Sequence, residues 1–162
     1  MSTRTSATTG AAVARDGSAA RRWLTAPFLL SVVGLAISVY LTVEHFTTPA
    51  ILACPEGATV NCAKVTSSPY ATLFGVPVAV LGLVFFVAMT ALTVPAAWRV
   101  PALTWVRVGA CAVGVVMVLY LVWVELFRVN AICLWCTGVH VVTVALLVAV
   151  LWRMTSRPVD QD

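Results

Sequence analysis

Charged residues are scarce in this 162-residue chain: they make up 10% of it, and nine arginines accompany a single lysine, Lys64. Hydrophobic residues reach 61%. Soluble globular domains carry about 25% charged residues, so this composition excludes that class and indicates a membrane protein. The net charge of +4 then serves orientation and contact with anionic membrane lipids, and it gives no indication of nucleic-acid binding.

Charge is also missing from the middle of the long apolar runs. Four runs of about 20 residues can each span a bilayer as a helix, and they cover residues 24–43, 74–94, 102–124 and 131–152. Arg107 comes nearest to a mid-span charge, about a turn and a half inside the third run, from where we expect it to snorkel to the interface. Without a mid-membrane ionisable group, a transporter is disfavoured.

The positions of the basic residues predict the orientation. Eight arginines belong to one face of the membrane and only Lys64 and Arg128 to the other, so both termini are predicted to be cytoplasmic. Residues 1–22 have almost nothing to bury and are predicted to be a disordered cytoplasmic tail. A membrane domain over residues 23–152 and a second cytoplasmic tail, residues 153–162, complete the predicted organisation.

The predicted fold class is all-α: an integral membrane four-transmembrane-helix bundle with a long extracytoplasmic loop, residues 45–73, between helices 1 and 2. The loop is too small to fold alone, and within it residues 67–74 are expected to form a short amphipathic piece. A signal peptide is rejected because the first apolar run is too long and polar residues separate it from Cys54. Glu125 and Arg128 are expected to pair at the outer interface.

The predicted topology sorts the five cysteines. Cys54, Cys62, Cys133 and Cys136 fall at the outer face, where disulfides persist, and Cys111 lies in the middle of the third span. As a small apolar residue in helix packing, Cys111 needs no further role. Taken alone, the two loop cysteines favour a structural disulfide that pins the loop, and a single C-x-x-C is a common chance pair.

The segment NAICLWCTGVH, residues 130–140, places Cys133 and Cys136 one helical turn apart. Asn130 can cap the helix that follows, which puts Cys133 in its first turn, where free N–H groups and the helix dipole favour a thiolate. At roughly 100° per residue, Cys133, Cys136 and His140 fall within about 60° on one helix face. The pattern suits a dithiol in which Cys133 exchanges with a protein disulfide and the deeper Cys136 faces an apolar redox partner.

Two cysteine pairs on a four-helix membrane bundle, together with SSPYATLFGVPVAVLG and CLWC, resemble the vitamin K epoxide reductase family over about residues 24–152. The resemblance implies a membrane thiol oxidoreductase that supports disulfide bond formation. Electrons would pass from a reduced thioredoxin-like (DsbA-like) extracytoplasmic partner, acting in trans, to Cys54. They would then pass from Cys62 to Cys133, and from Cys136 to a lipid quinone.

Two further positions carry expectations from the resemblance. Ser68, six residues after the second loop cysteine, matches a serine that lies near the membrane pair in the family. His140 stands four residues after the last cysteine, where vertebrate members have a tyrosine that donates to the ligand carbonyl. A histidine can also donate to a quinone oxygen, so quinone reduction is implied more firmly than epoxide reduction. Residue usage typical of a GC-rich genome points to menaquinone.

Other functions remain open from the sequence. Electrons could run outward from the cytoplasm, but only Cys111 could then be argued to receive them. A non-catalytic four-span protein with a structural Cys54–Cys62 disulfide is the main alternative. No metal is expected, because the cysteine spacing lacks a second C-x-x-C and the outer face is oxidising. The predicted location is the cell membrane, with the active site at its outer face.

Overall fold

The computed structural model describes residues 4–47, 54, 57 and 59–155, with side chains of the first helix described from residue 25 onward. Four long helices, α1, α3, α4 and α5, and one short helix, α2, make up most of this part of the chain; their bounds are Arg4–Phe46 (α1), Cys62–Thr66 (α2), Val78–Thr93 (α3), Leu103–Val124 (α4) and Leu134–Thr155 (α5). Helix α1 packs against α3 and α5, and α4 packs against α5 and α3. The four long helices therefore form one bundle.

Three helical stretches are long and apolar enough to cross a membrane: Thr25–Phe46, Leu103–Val129 and Leu134–Thr155. Helix α3 is apolar too, but its 16 residues span roughly 24 Å, less than the ~30 Å hydrocarbon core of a bilayer. It is shorter than the predicted run because the outer residues of that run belong to a hairpin. The helical class is confirmed with three spans, and a fourth crossing by α3 stays a prediction.

The first helix begins at Arg4, so residues 4–22 are helical where we predicted disorder. Alanine and arginine dominate the part of this segment next to the first span, and both are strong helix formers. Extending an existing helix also avoids the cost of nucleation. Of the predicted C-terminal tail, residues 153–155 belong to α5, and residues 156–162 lie outside the described residues.

The core lies between α1, α3, α4 and α5, and its buried cluster consists of Phe86, Met89, Trp98, Cys111, Leu146 and Val150. Cys111 is fully buried in this cluster, as expected for a packing residue. At Gly34 of α1, any side-chain carbon would overlap the ring of Phe86 on α3. The bare backbone at this position lets the two helices approach closely, since Phe86 has no room to move away.

Arg107 is fully buried, so the expectation that it snorkels to the interface was wrong. Its Nε donates to the carbonyl of Leu92 over 2.7 Å and its Nη2 to that of Ala97 over 2.6 Å. The guanidinium also lies 4.1 Å from the ring centroid of Trp98, on which Arg153 stacks as well. The first contact satisfies a carbonyl group near the end of α3, and the second reaches the 3₁₀ turn, Pro95–Arg99, that follows it. Together with the ring contact they explain why the charge stays inside.

A small hairpin precedes α3 and departs from the all-α prediction. Strands β1 (Thr72–Leu73) and β2 (Val76–Pro77) pair antiparallel, with Leu73 opposite Val76. Phe74 and Gly75 form the turn with φ of 53° and 80°, a left-handed pair that matches the twist of a two-residue hairpin. The predicted amphipathic piece over residues 67–74 is therefore a 3₁₀ turn, Pro69–Ala71, followed by the first strand.

Candidate dithiol and disulfide site

The connection between α4 and α5 begins with a π-helical turn, Glu125–Val129, that continues α4. It ends at Asn130, whose backbone is left-handed with φ 49° and ψ 45°. The N–H groups of Asn130 and Ala131 both donate to the carbonyl of Glu125. Asn130 therefore closes the preceding helix, and the prediction that it caps α5 was wrong. Asparagine suits this place because it tolerates left-handed backbone better than most residues.

The loop that carries Cys62 is tied to the segment that carries Cys133 by a short parallel bridge between Val60 and Ile132. The N–H of Asn61 donates to the carbonyl of Ile132 over 3.1 Å, and the N–H of Ile132 donates to that of Thr59 over 2.9 Å. Cys62 and Cys133 each follow this bridge within two residues. The backbone thus brings the two cysteine-bearing segments side by side, although they are far apart in sequence.

Cys133 occupies the position before the first residue of α5 and caps that helix with its own sulfur. The N–H of Cys136 points at the Cys133 Sγ over 3.3 Å, and the N–H of Thr137 donates to its carbonyl over 2.8 Å. The pKa of Cys133 lies below its usual range, chiefly because the Cys136 thiol donates a hydrogen bond to its sulfur; burial and the charge of Glu125 oppose this effect. The expected thiolate-favouring environment is therefore present, supplied by Cys136 and the helix end.

The loop pair is oxidised and the membrane pair is reduced. Cys54 and Cys62 form a disulfide with their Cα atoms 6.1 Å apart, whereas Cys133 and Cys136 are free thiols. Cys62 is fully buried at the start of α2, where the Asn61 side chain accepts from the N–H of Lys64 over 2.8 Å. The structure therefore holds a disulfide and a dithiol on adjoining segments.

A cavity of about 470 Å³ opens beside the membrane pair and is lined by α1, the outer segment, α3, α4 and α5. Most of its lining is apolar. The predicted site residues Ser68, Cys136 and His140 all line it, whereas Cys133 is buried and lies outside the lining. The structure thus brings three of the six predicted site residues to one cavity, and places Cys62 and Cys133 on the two bridged segments.

The titratable residues of this cavity that were missed as site residues include Glu125 and His45. Glu125 was expected to pair with Arg128 at the surface, but it is buried and lines the cavity, while Arg128 lies over the ring of Trp123. The π-helical turn changes the direction of the side chains that follow α4, which a regular helical period does not predict. His45, near the end of α1, lines the same cavity. Glu125 and His45 are both ionisable residues close to an apolar run, and this was the sequence signal that could have identified them as candidate site residues.

The described residues thus define a helical membrane protein with a disulfide and a dithiol beside an apolar cavity. Within these residues, no group of three or more His, Cys, Asp or Glu side chains is placed to hold a metal ion. The profile of the vitamin K epoxide reductase family matches residues 25–151. The chain belongs to this family, and membership implies a membrane thiol oxidoreductase. A search of curated proteins gave no match.

Proposed function

We propose that this protein is a quinone-dependent thiol oxidase that supports disulfide bond formation outside the cytoplasm. Two electrons enter at the Cys54–Cys62 disulfide from a reduced thioredoxin-like partner in trans, move to the Cys133–Cys136 pair, and leave to a lipid quinone. The family in general uses such a partner and such a co-substrate. The observation that carries the proposal is the bridge that joins the segment of Cys62 to the segment of Cys133, next to a cavity that contains Cys136.

The entry half of the reaction is thiol–disulfide exchange. A partner thiolate attacks Cys54, and the second partner thiol completes its own disulfide while Cys62 is released as a thiolate. Cys62 then attacks an oxidised Cys133–Cys136 bond at Cys133, and Cys136 leaves as a thiolate. Cys54 attacks Cys62 in the resulting mixed disulfide, which closes the loop disulfide again and releases Cys133. A sulfur with a lowered pKa is a good leaving group, which suits Cys133.

The exit half passes the electrons to a quinone ring in the cavity. The cavity is largely apolar and large enough for a ring system, and Cys136 and His140 both line it. The quinone takes two electrons and two protons, and the Cys133–Cys136 disulfide forms. His140 would donate to a quinone oxygen, and Ser68 would support the ring from the loop side. The residue usage of the chain favours menaquinone as the natural co-substrate.

The proposed arrangement in the membrane has four crossings, α3 included, with both termini in the cytoplasm and the four redox cysteines at the outer face of the cell membrane. The apolar surface of α3 and its packing between α1 and α4 support a place inside the bilayer. The hairpin and the 3₁₀ turn at its two ends add length beyond its 16 residues. The excess of arginine on the predicted inner side supports the orientation.

The proposal is tested with purified protein, a reduced DsbA-like protein and a short-chain quinone. Replacing any one of Cys54, Cys62, Cys133 or Cys136 by Ala should abolish oxidation of the DsbA-like protein, followed by alkylation and gel shift. Cys111→Ala is the matched control, since this cysteine is buried in the core, and it should stay active. Full activity in Cys54→Ala would contradict the electron path and favour the alternative, a non-catalytic protein whose loop disulfide is structural.

A further inference from the structure

Glu125 is a buried carboxyl group with no role in the reaction as described so far. Only 5% of it is exposed, although it follows an apolar helix near the membrane. It lines the cavity together with Cys136 and His140, and the backbone N–H of Cys133 is a hydrogen-bond donor to its side chain. Burying an ionisable group beside an apolar helix costs folding free energy, so its presence there favours a functional role.

The π-helical turn explains how the carboxyl reaches the cavity. A regular α-helix would continue past Val124, but the wider turn, Glu125–Val129, breaks the register at the point where α4 ends. Val124, Val129 and Ala131 form a small buried cluster with Val65 and Tyr70 packed on it. The loop thereby covers the turn from outside and shields the carboxyl from bulk water.

Glu125 and the thiols beside it are enclosed in a region of low dielectric, where two of these groups cannot easily be deprotonated at the same time. Among the described residues, the titratable ones that share the cavity lining with Glu125 are His45, Tyr70, Cys136 and His140, and Cys133 is close enough to feel its charge. Among the described residues, no lysine or arginine lines the cavity; Lys64 on the adjoining α2 is exposed. Two negative charges, one on Glu125 and one on Cys133, would repel each other strongly in low dielectric.

We propose that Glu125 is the proton-transfer residue of the membrane dithiol, an inference that rests on the proposed quinone reduction. The carboxylate takes the proton of the Cys133 thiol, which leaves a Cys133 thiolate beside the Cys136 thiol and a protonated Glu125. When the two sulfurs join as a disulfide, two electrons pass to the quinone. The Cys136 proton and the Glu125 proton complete the quinol, and the carboxylate is restored.

This sequence balances without a further reactant. The dithiol gives up two electrons and two protons, the quinone accepts the same number, and the buried group carries one negative charge before, during and after the transfer. The thiolate that attacks is formed without sending a proton through the apolar lining. Glu125 thus links the thiol that the loop reaches, Cys133, to the cavity that holds the quinone.

The test uses full-length protein in detergent, reduced with dithiothreitol, desalted and mixed with menadione in a single turnover. Glu125→Gln keeps the size and the acceptor for the Cys133 N–H but cannot carry the proton. It should slow quinol formation about 100-fold, a typical contribution of general acid–base transfer, and Glu125→Asp should recover much of the rate. Glu44→Gln is the matched control, since Glu44 is equally buried but does not line the cavity.

A second readout separates proton transfer from a structural role. Attack of the reduced loop cysteines on an oxidised Cys133–Cys136 bond, followed by mass spectrometry, should keep its rate in Glu125→Gln, because Cys133 enters that step without a proton. The slowed quinol formation should become more dependent on pH, because water must then carry the Cys133 proton. A Glu125→Gln rate within roughly threefold of wild type, or equal slowing of both halves, would overturn the inference. Wild-type protein that leaves menadione unreduced would instead reject the proposed function itself.

Discussion

Replacing His140 by phenylalanine probes the quinone side of the site alone. His140 is 6% exposed, lies one turn beyond Cys136 and lines the same cavity. Phenylalanine keeps a planar ring of similar bulk and removes both ring nitrogens. If the imidazole donates to the oxygen on which charge develops, one such hydrogen bond is worth about 2 to 4 kcal/mol, or roughly 30-fold to 1,000-fold in rate.

The assay follows quinol formation by absorbance after reduced His140→Phe protein is mixed with a short-chain quinone. Exchange between the loop disulfide and Cys133 is measured on the same sample and should be unchanged, because His140 is absent from the bridged segments. A quinol rate equal to that of wild type would refute the reasoning. His140 would then be a packing residue, and the donor would have to be sought elsewhere on the lining, with His45 the first residue to test.

Three further outcomes are expected. The thiolate of Cys133 is the form that reacts with an alkylating agent, and its pKa is lowered chiefly by the Cys136 thiol. As the pH is lowered, the alkylation rate of Cys133 should therefore fall at a lower pH than that of an ordinary thiol. Cys136→Ala should move this fall to higher pH. With its terminal step blocked, Cys136→Ala should also accumulate a Cys62–Cys133 disulfide, and mapping that finds only the loop disulfide would contradict the order of transfer. Gly34→Ala should destabilise the protein by about 1 to 3 kcal/mol, seen as a lower thermal midpoint in detergent, whereas Gly109→Ala, with no atom near the added carbon, should not.

The sequence predicted those features that depend on local composition and spacing. The third apolar run, residues 102–124, corresponds closely to Leu103–Val124, because a long and predominantly apolar run with no proline inside leaves few alternatives to a helix. Family membership was likewise predicted from the cysteine pairs and their flanking segments, and it is confirmed over residues 25–151. The roles of the individual cysteines, of Ser68 and of His140 stay predictions.

Features that depend on contacts distant in sequence were missed. Arg107 was expected at the interface because its distance from the helix end allowed it, but hydrogen bonds to the carbonyl groups of Leu92 and Ala97 hold it inside. Glu125 was expected at the surface because a regular helix was assumed past Val124. The partners of Arg107 lie on another element, and the position of Glu125 depends on an unusual turn. Neither feature can be predicted from the helical periodicity of the sequence.

Cys133 and Cys136 lie in two different environments, and this separation would prevent thiols from reducing the quinone directly. Cys133 is fully buried beside the bridged loop and does not line the cavity, whereas Cys136 does. On the proposed function, a thiol that reaches Cys133 from the loop side therefore cannot meet the quinone, and the quinone can meet only Cys136. Electrons must pass through the Cys133–Cys136 bond, since neither substrate has access to both sulfurs. A Cys133→Ala variant should accordingly block quinone reduction by added small thiols as well as by a protein partner, and residual reduction in that variant would show that thiols enter the cavity directly.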